Sequence, residues 1–97
     1  MTVAFVAKLV VKPDKRDEFE ALQKKLSVLT HDHEPDTLVY DFLRHRDEPN
    51  TYLVYSRFRD EAAFETHQQS TFHDDLVPPI LEALAEEMDL QFFDLIE

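Results

Sequence analysis

Apolar residues occupy nearly every position from Val3 to Val11, interrupted only at Lys8, and this valine-rich run predicts a strand over residues 3–12. Pro13-Asp14 stops the strand and opens a helix, with Asp14 as N-cap and Asp17 and Glu18 in the first turn. Phe19, Leu22, Leu26 and Leu29 then recur at spacings of three and four, the signature of one buried helical face. Lys24 and Lys25 fall in the later part, where cations suit the helix dipole, and the helix should end near Thr30. Residues 37–46 and 51–59 read as strands around Asp47-Glu48-Pro49-Asn50, a polar hairpin loop. Asp60 caps a helix that reaches His67, and Ser70 or Thr71 caps another beginning at Phe72. A residue before proline is pushed out of the α region, so Val77-Pro78-Pro79 predicts a break near Val77 and a restart at Pro79 that continues through Leu81, Leu84 and Met88. Residues 90–96 close the chain as a fourth strand.

The order βαββαβ, with right-handed crossovers, gives an α+β, ferredoxin-like antiparallel sheet with helices on one face. An antiparallel sheet with one wet face should alternate apolar and polar residues, yet the first strand, the run Tyr52-Leu53-Val54-Tyr55 and the segment from Leu90 to Ile96 are apolar on both faces. One face has the helices. The cover left for the other in so short a chain is a second copy, so a homodimer packed sheet to sheet is expected; an apolar sheet left bare on a monomer would invite aggregation.

Composition narrows the chemistry. The 97 residues form one domain, residues 1–97, without linker or repeat. The absence of cysteine removes disulfides, thiolate metal sites and cysteine nucleophiles. No basic start followed by a long apolar stretch marks a signal peptide, and a cytoplasmic location is expected. A formal net charge of -11 repels phosphate backbones and anionic headgroups, and no apolar run approaches the roughly 18 residues of a membrane span, so neither nucleic acid nor membrane is an expected partner. The same field favours a neutral or weakly acidic aromatic ligand over a polyphosphate.

Three segments carry a family resemblance: EPDTLVYDF at residues 34–42, TYLVYSRFRDEAAFETH at 51–67, and the STFH that follows. Together they resemble the antibiotic biosynthesis monooxygenase (ABM) superfamily of dimeric α+β barrel proteins, which includes cofactor-independent quinol and anthrone monooxygenases. Members usually show Glu-Pro-Gly where this chain, which lacks glycine, has Asp36; aspartate tolerates a left-handed conformation, so the turn can survive. The family's Glu-x-Trp on the third strand is Ser56-Arg57-Phe58 here, which keeps an aromatic but loses a carboxylate facing the pocket. The usual His-Phe after the second cap is reversed to Phe72-His73, which puts the orientation of His73 in question.

The resemblance implies a monooxygenase that oxidises a quinol or polycyclic phenol with dioxygen, without flavin, haem or metal. The substrate supplies the electrons; the protein binds the ring, takes its proton and excludes water. His67 is the expected catalytic base, since an imidazole titrating near neutrality suits a phenolic proton. Tyr40, Tyr52, Ser56, Phe58, Phe64, Phe72 and His73 are the expected substrate-binding residues. Strand alternation puts Tyr52, Val54, Ser56 and Phe58 on one face, which the resemblance turns toward the helices, with Tyr55 and Arg57 toward the partner sheet. The alternative is that His67 hydrogen-bonds the following turn, the aromatics are core, and the protein is a non-catalytic aromatic-ligand-binding or stress-response dimer. His31 and His33 have the spacing of metal ligands only if extended; a polar loop after the helix explains them more simply, and no metal is expected. His45, between Arg44 and Arg46, reads as a solvated strand end.

Overall fold

The computed structural model describes residues 2–96. Strand β1 (Val3–Val10) leads through a 3-10 turn at Pro13–Lys15 into helix α1 (Arg16–His33). Strands β2 (Thr37–Arg44) and β3 (Thr51–Phe58) form the hairpin, followed by α2 (Glu61–Gln69), α3 (Thr71–Glu82) and β4 (Asp89–Asp94). The sheet is antiparallel with order β2-β3-β1-β4, the ferredoxin-like arrangement predicted from the element order.

Register determines what each strand face meets. Phe5 lies opposite Ser56, Ala7 opposite Val54 and Leu9 opposite Tyr52, and all six are buried toward the helices. On the other face Leu43, Leu53 and Phe93 are 48 %, 37 % and 50 % exposed, beside half-buried Val6, Val10 and Tyr55. In a single chain, then, the outer sheet face is open and carries these apolar residues among the charged Lys8, Asp41, Arg57 and Asp89. β4 is an edge strand exposed along its whole length; its helix-side residues Leu90 and Phe92 remain accessible because the helical layer does not extend over the edge.

Five local readings differ from expectation. Asp14 sits in the 3-10 turn and caps nothing, and α1 starts without a side-chain cap. The buried stripe of α1 is Phe19, Gln23, Leu26 and Thr30, with Leu22 and Leu29 on its flanks, so two polar residues lie at core positions. The helix also runs a turn past Thr30, which places His31 and His33 in its last turn instead of a loop. Among the described residues no non-glycine has positive φ, so Asp36 keeps the turn without a left-handed conformation. The Thr37 amide donates to the Glu34 carbonyl at 3.1 Å, and the Arg59 amide donates to the Asp36 carbonyl at 2.9 Å.

The fifth difference is α3, which runs unbroken through Pro78 and Pro79 and stops at Glu82 instead of restarting. The prolines deprive the carbonyls of Asp74 and Asp75 of their helical donors, but both residues are exposed, so water can serve them. Leu76 and Ile80, four residues apart, are both buried in the core, each contributing about 1.5–3 kcal/mol against the roughly 3 kcal/mol that each of the two interior prolines costs. Leu84 then forms a bridge with Val11 and Met88 precedes β4, outside any helix. The other caps are as read: the Asp60 carboxylate accepts from the Ala63 amide at 2.9 Å, and the Ser70 hydroxyl accepts from the His73 amide at 3.3 Å.

Candidate active site

His67 lies in the last turn of α2, spaced four residues from Ala63, and both are buried. Its backbone carbonyl accepts from the Ser70 hydroxyl at 2.9 Å, so the main chain does stitch the following turn. The imidazole does something else. Nδ1 lies 3.0 and 3.1 Å from the two carboxylate oxygens of Glu34, which also accepts from the Thr37 hydroxyl at 2.8 Å. An ionised carboxylate can only accept, so Nδ1 carries the hydrogen and Nε2 is left with a free lone pair.

His67 is 2 % exposed and lines a cavity of about 160 Å³ between the helices and the sheet. At its end of that cavity stand Phe5, Tyr40, Phe64, Gln68 and His73. The His67 ring is 5.1 Å from Tyr40, 5.4 Å from Phe58 and 4.9 Å from His73 between centroids. The rest of the wall is aliphatic, from Ala7, Leu9, Val54, Val77, Ile80 and Met88, with Leu81 and Leu90 at the rim.

Burial sets the protonation states. It lowers the pKa of His67, against an opposing pull from Glu34, and it lowers that of His73, reinforced by His67 and opposed by Asp74 and Glu34. Burial pushes the Tyr40 phenol up to about 12, so Tyr40 is a hydrogen-bond donor and not a base at neutral pH. Both histidines are therefore held neutral in the fold, while in the unfolded chain each takes up a proton near its ordinary value of 6.5. Below that pH the unfolded state binds more protons, so stability present above pH 6.5 is lost as pH falls through the lower folded values. Urea midpoints are expected to decline from just below pH 6.5 downward, with a shallower decline between pH 6.5 and 5 in His73→Phe; a midpoint constant from pH 7.5 to 5 contradicts this.

The expected site residues divide. Tyr40, Phe64, His67 and His73 line the cavity, and Phe58 supports the His67 ring from below. Ser56 is fully buried between Tyr40 and Phe5 in the sheet, and its hydroxyl has no hydrogen-bond partner among the described residues. Tyr52 is on the expected sheet face but outside the cavity: its ring packs on Phe19 and Phe42, and its hydroxyl donates to Glu20 at 2.5 Å. Glu20 in turn accepts from Arg44 at 3.1 and 3.2 Å, tying α1 to β2. Phe72 also turns away, its ring 5.9 Å from His33. A one-residue step turns a helix by about 100°, so the reversed Phe72-His73 order sends His73 inward and Phe72 outward.

Glu34 is the functional candidate that sequence reasoning missed. The sequence marks it only as the start of a Glu-Pro turn, yet its position ahead of Thr37 brings a carboxylate to His67 across 33 positions. The floor residues Phe5, Ala7 and Leu9 were missed as well, because β1 is apolar on both faces and carries no alternation to tell them from Val6 and Val10. The remaining histidines are structural: His31 Nε2 lies 3.2 Å from the Tyr40 carbonyl, and His45 Nδ1 accepts from the amides of Asp47 and Glu48, both at 3.1 Å, which orders the hairpin loop. Among the described residues no group of three or more His, Cys, Asp or Glu is placed to hold a metal, and no helix is long and apolar enough to cross a membrane.

The sequence model of the antibiotic biosynthesis monooxygenase family matches residues 2–78. YcnE of Bacillus subtilis is 29 % identical over 96 residues, covering 98 % of this chain and 99 % of its own. An uncharacterised protein of Synechocystis sp. is 26 % identical over 95 residues, and the chain spans 64 % of that relative's length. A crystal structure from Caulobacter crescentus CB15, of a protein named for the same family, superposes with a TM-score of 0.94 at 25 % identity, covering 99 % of this chain and 91 % of the other. SnoaB, a cofactor-independent oxygenase from Streptomyces nogalater, shares the fold with a TM-score of 0.86 at 19 % identity, covering 99 % of this chain and 94 % of its own.

Proposed function

Because the chain belongs to the antibiotic biosynthesis monooxygenase family, we propose that it oxidises a phenol or quinol with dioxygen, with His67 as the base and electrons supplied by the substrate. The observation that carries this reading is the His67–Glu34 pair: a buried imidazole with Nδ1 bound to a carboxylate and Nε2 free beside an aromatic-walled cavity. With Ser56 on β3 in place of a carboxylate, Glu34 is the carboxylate in hydrogen-bond contact with His67.

In the proposed reaction His67 Nε2 takes the phenolic proton, and Glu34 stabilises the imidazolium that forms. Tyr40, held protonated, contributes its ring to the wall beside His67, with Gln23 beside its hydroxyl. The substrate anion passes one electron to dioxygen, and the organic radical and superoxide combine to form a carbon–oxygen bond. The resulting peroxide recovers the proton from His67; the ring carbon then loses its C–H proton as the O–O bond breaks, forming the carbonyl, and that proton and the departing hydroxide leave as water. One substrate and one dioxygen thus give a quinone one oxygen richer and one water. Packing around the site limits water, which would otherwise solvate the anion and raise the barrier to electron transfer.

Oxygen uptake by the purified protein with a panel of reduced naphthoquinols and substituted phenols tests the reading. Uptake above autoxidation, with one dioxygen consumed per product, supports it. Saturable quenching of tyrosine fluorescence without uptake overturns it in favour of a ligand-binding protein.

The functional unit in this proposal is a homodimer joined through the outer sheet faces. The support is the apolar patch around Leu43, Leu53 and Phe93, which a lone chain would leave in water. Leu53 lies between Leu43 on β2 and Lys8 on β1, so a carboxylate at position 53 puts a charge against Leu43 on the outer face. Sedimentation velocity at micromolar concentration is expected to show a dimer for the parent chain and a monomer for Leu53→Asp. A monomeric parent chain contradicts the arrangement.

A further inference from the structure

Building on the reading of the cavity as a phenol site, we propose that the substrate is a single-ring phenol or quinol with an uncharged aliphatic side chain of several carbons. Its ring rests at His67, and its chain runs over Ala7 and Leu9 beneath α3.

The two ends of the cavity have different chemistry. Phe5, Ala7 and Leu9 are successive floor residues on one face of β1, and at about 3.3 Å per residue Phe5 and Leu9 are about 13 Å apart. The rings gather at the Phe5 end: Phe5 is 6.5 Å from Tyr40 and 6.1 Å from Phe64, and Tyr40 is 5.1 Å from His67. From Ala7 onward, where Val54 and Leu90 are its register partners, the wall continues with Leu9, Ile80, Leu81 and Met88, with no aromatic ring and no polar side chain. Ala7, the smallest floor residue, leaves room where the two halves meet.

Size and charge point the same way. A cavity near 150 Å³ accommodates a benzene-sized ligand, so about 160 Å³ holds one ring and the start of a chain. A longer chain leaves over the rim, where Leu81 and Leu90 are 45 % and 39 % exposed. A fused polycycle would fill the aliphatic half with a rigid plate and meet no aromatic partner there. No lysine or arginine lines the cavity, and the chain carries a formal net charge of -11, so a tail ending in carboxylate or phosphate finds no counter-charge.

Isothermal titration of the full chain under argon with phenol, 4-ethylphenol, 4-butylphenol, 2-naphthol and 3-(4-hydroxyphenyl)propanoate tests the assignment. Kd is expected to fall about fourfold per methylene from phenol to 4-butylphenol, the factor for burying a CH₂. The propanoate is expected to bind more weakly than 4-ethylphenol despite its longer chain. In Leu81→Gln, an exposed position where the fold should tolerate the change, the gain from ethyl to butyl should shrink. Affinities within threefold from phenol to 4-butylphenol, 2-naphthol binding more tightly than 4-butylphenol, or an unchanged slope in Leu81→Gln would each overturn the proposal. Binding is read without turnover, so the two readings separate. A flat series in a protein that oxidises a simple quinol overturns only the side-chain assignment, and a steep series without oxygen uptake upholds the ligand class and overturns the oxygenase.

Discussion

Replacing His67 with alanine is expected to lower oxygen uptake by at least about a hundredfold, within the range of 10²–10⁴ that a positioned general base supplies. The loss should fall on kcat and on kcat/KM together, since the imidazole acts on the proton in flight and the ring keeps its aromatic walls. The parent protein should show an acid limb in kcat/KM with an apparent pKa below 6.5, because burial holds the free-enzyme imidazole neutral to lower pH than in solution. The base must be unprotonated, so activity rises with pH through that value. Stopped oxygen-electrode assays from pH 5 to 8 check both statements. An unchanged rate in His67→Ala removes the base from the mechanism, and an acid limb above pH 7 contradicts the protonation argument.

Glu34→Ala is expected to cost both stability and rate. Removing the carboxylate strands the His67 Nδ1–H and the Thr37 hydroxyl, both buried, at about 1–3 kcal/mol each. For a domain of this size the melting temperature should drop on the order of 10 °C or more. Glu34→Gln separates the two effects: its amide oxygen still accepts, so the fold should be largely retained, while the charge that stabilises the imidazolium is gone. A charge-assisted hydrogen bond is worth about 1.5–3 kcal/mol, so kcat should fall by about ten- to a hundredfold. Calorimetry and oxygen uptake on the same preparations are the measurements. A Glu34→Gln protein of full activity reduces the pair to a packing contact.

The fold was readable because its signals are local or strictly periodic. Caps at Asp60 and Ser70, the hairpin residues 47–50 and the shared face of Tyr52, Val54, Ser56 and Phe58 on β3 depend on neighbours in the chain, and each holds in the structure. The misread prolines show where local rules yield. Pro78 and Pro79 disfavour a helix, yet the helix continues through them with Leu76 and Ile80 buried on either side. The inward stripe of α1 is a similar case, since Gln23 and Thr30 are buried by their phase on the helix despite their polarity.

The site was less legible, for a different reason. Tyr52 and Phe72 carry the right chemistry and lie in segments that build the cavity, but which aromatic reaches it depends on how helices sit over the sheet. Phe19 and Glu20 of α1 claim Tyr52, and the phase of α3 turns Phe72 toward His33. From the sequence alone come the element order, the shared face of β3, the apolar residues of the outer sheet face and the placing of His67 near the end of α2. Only the tertiary structure decided that Glu34 is the partner of His67, because a hydrogen bond across 33 positions leaves no periodic trace. Periodicity specifies which face a side chain occupies; the packing of one element on another specifies what it meets there.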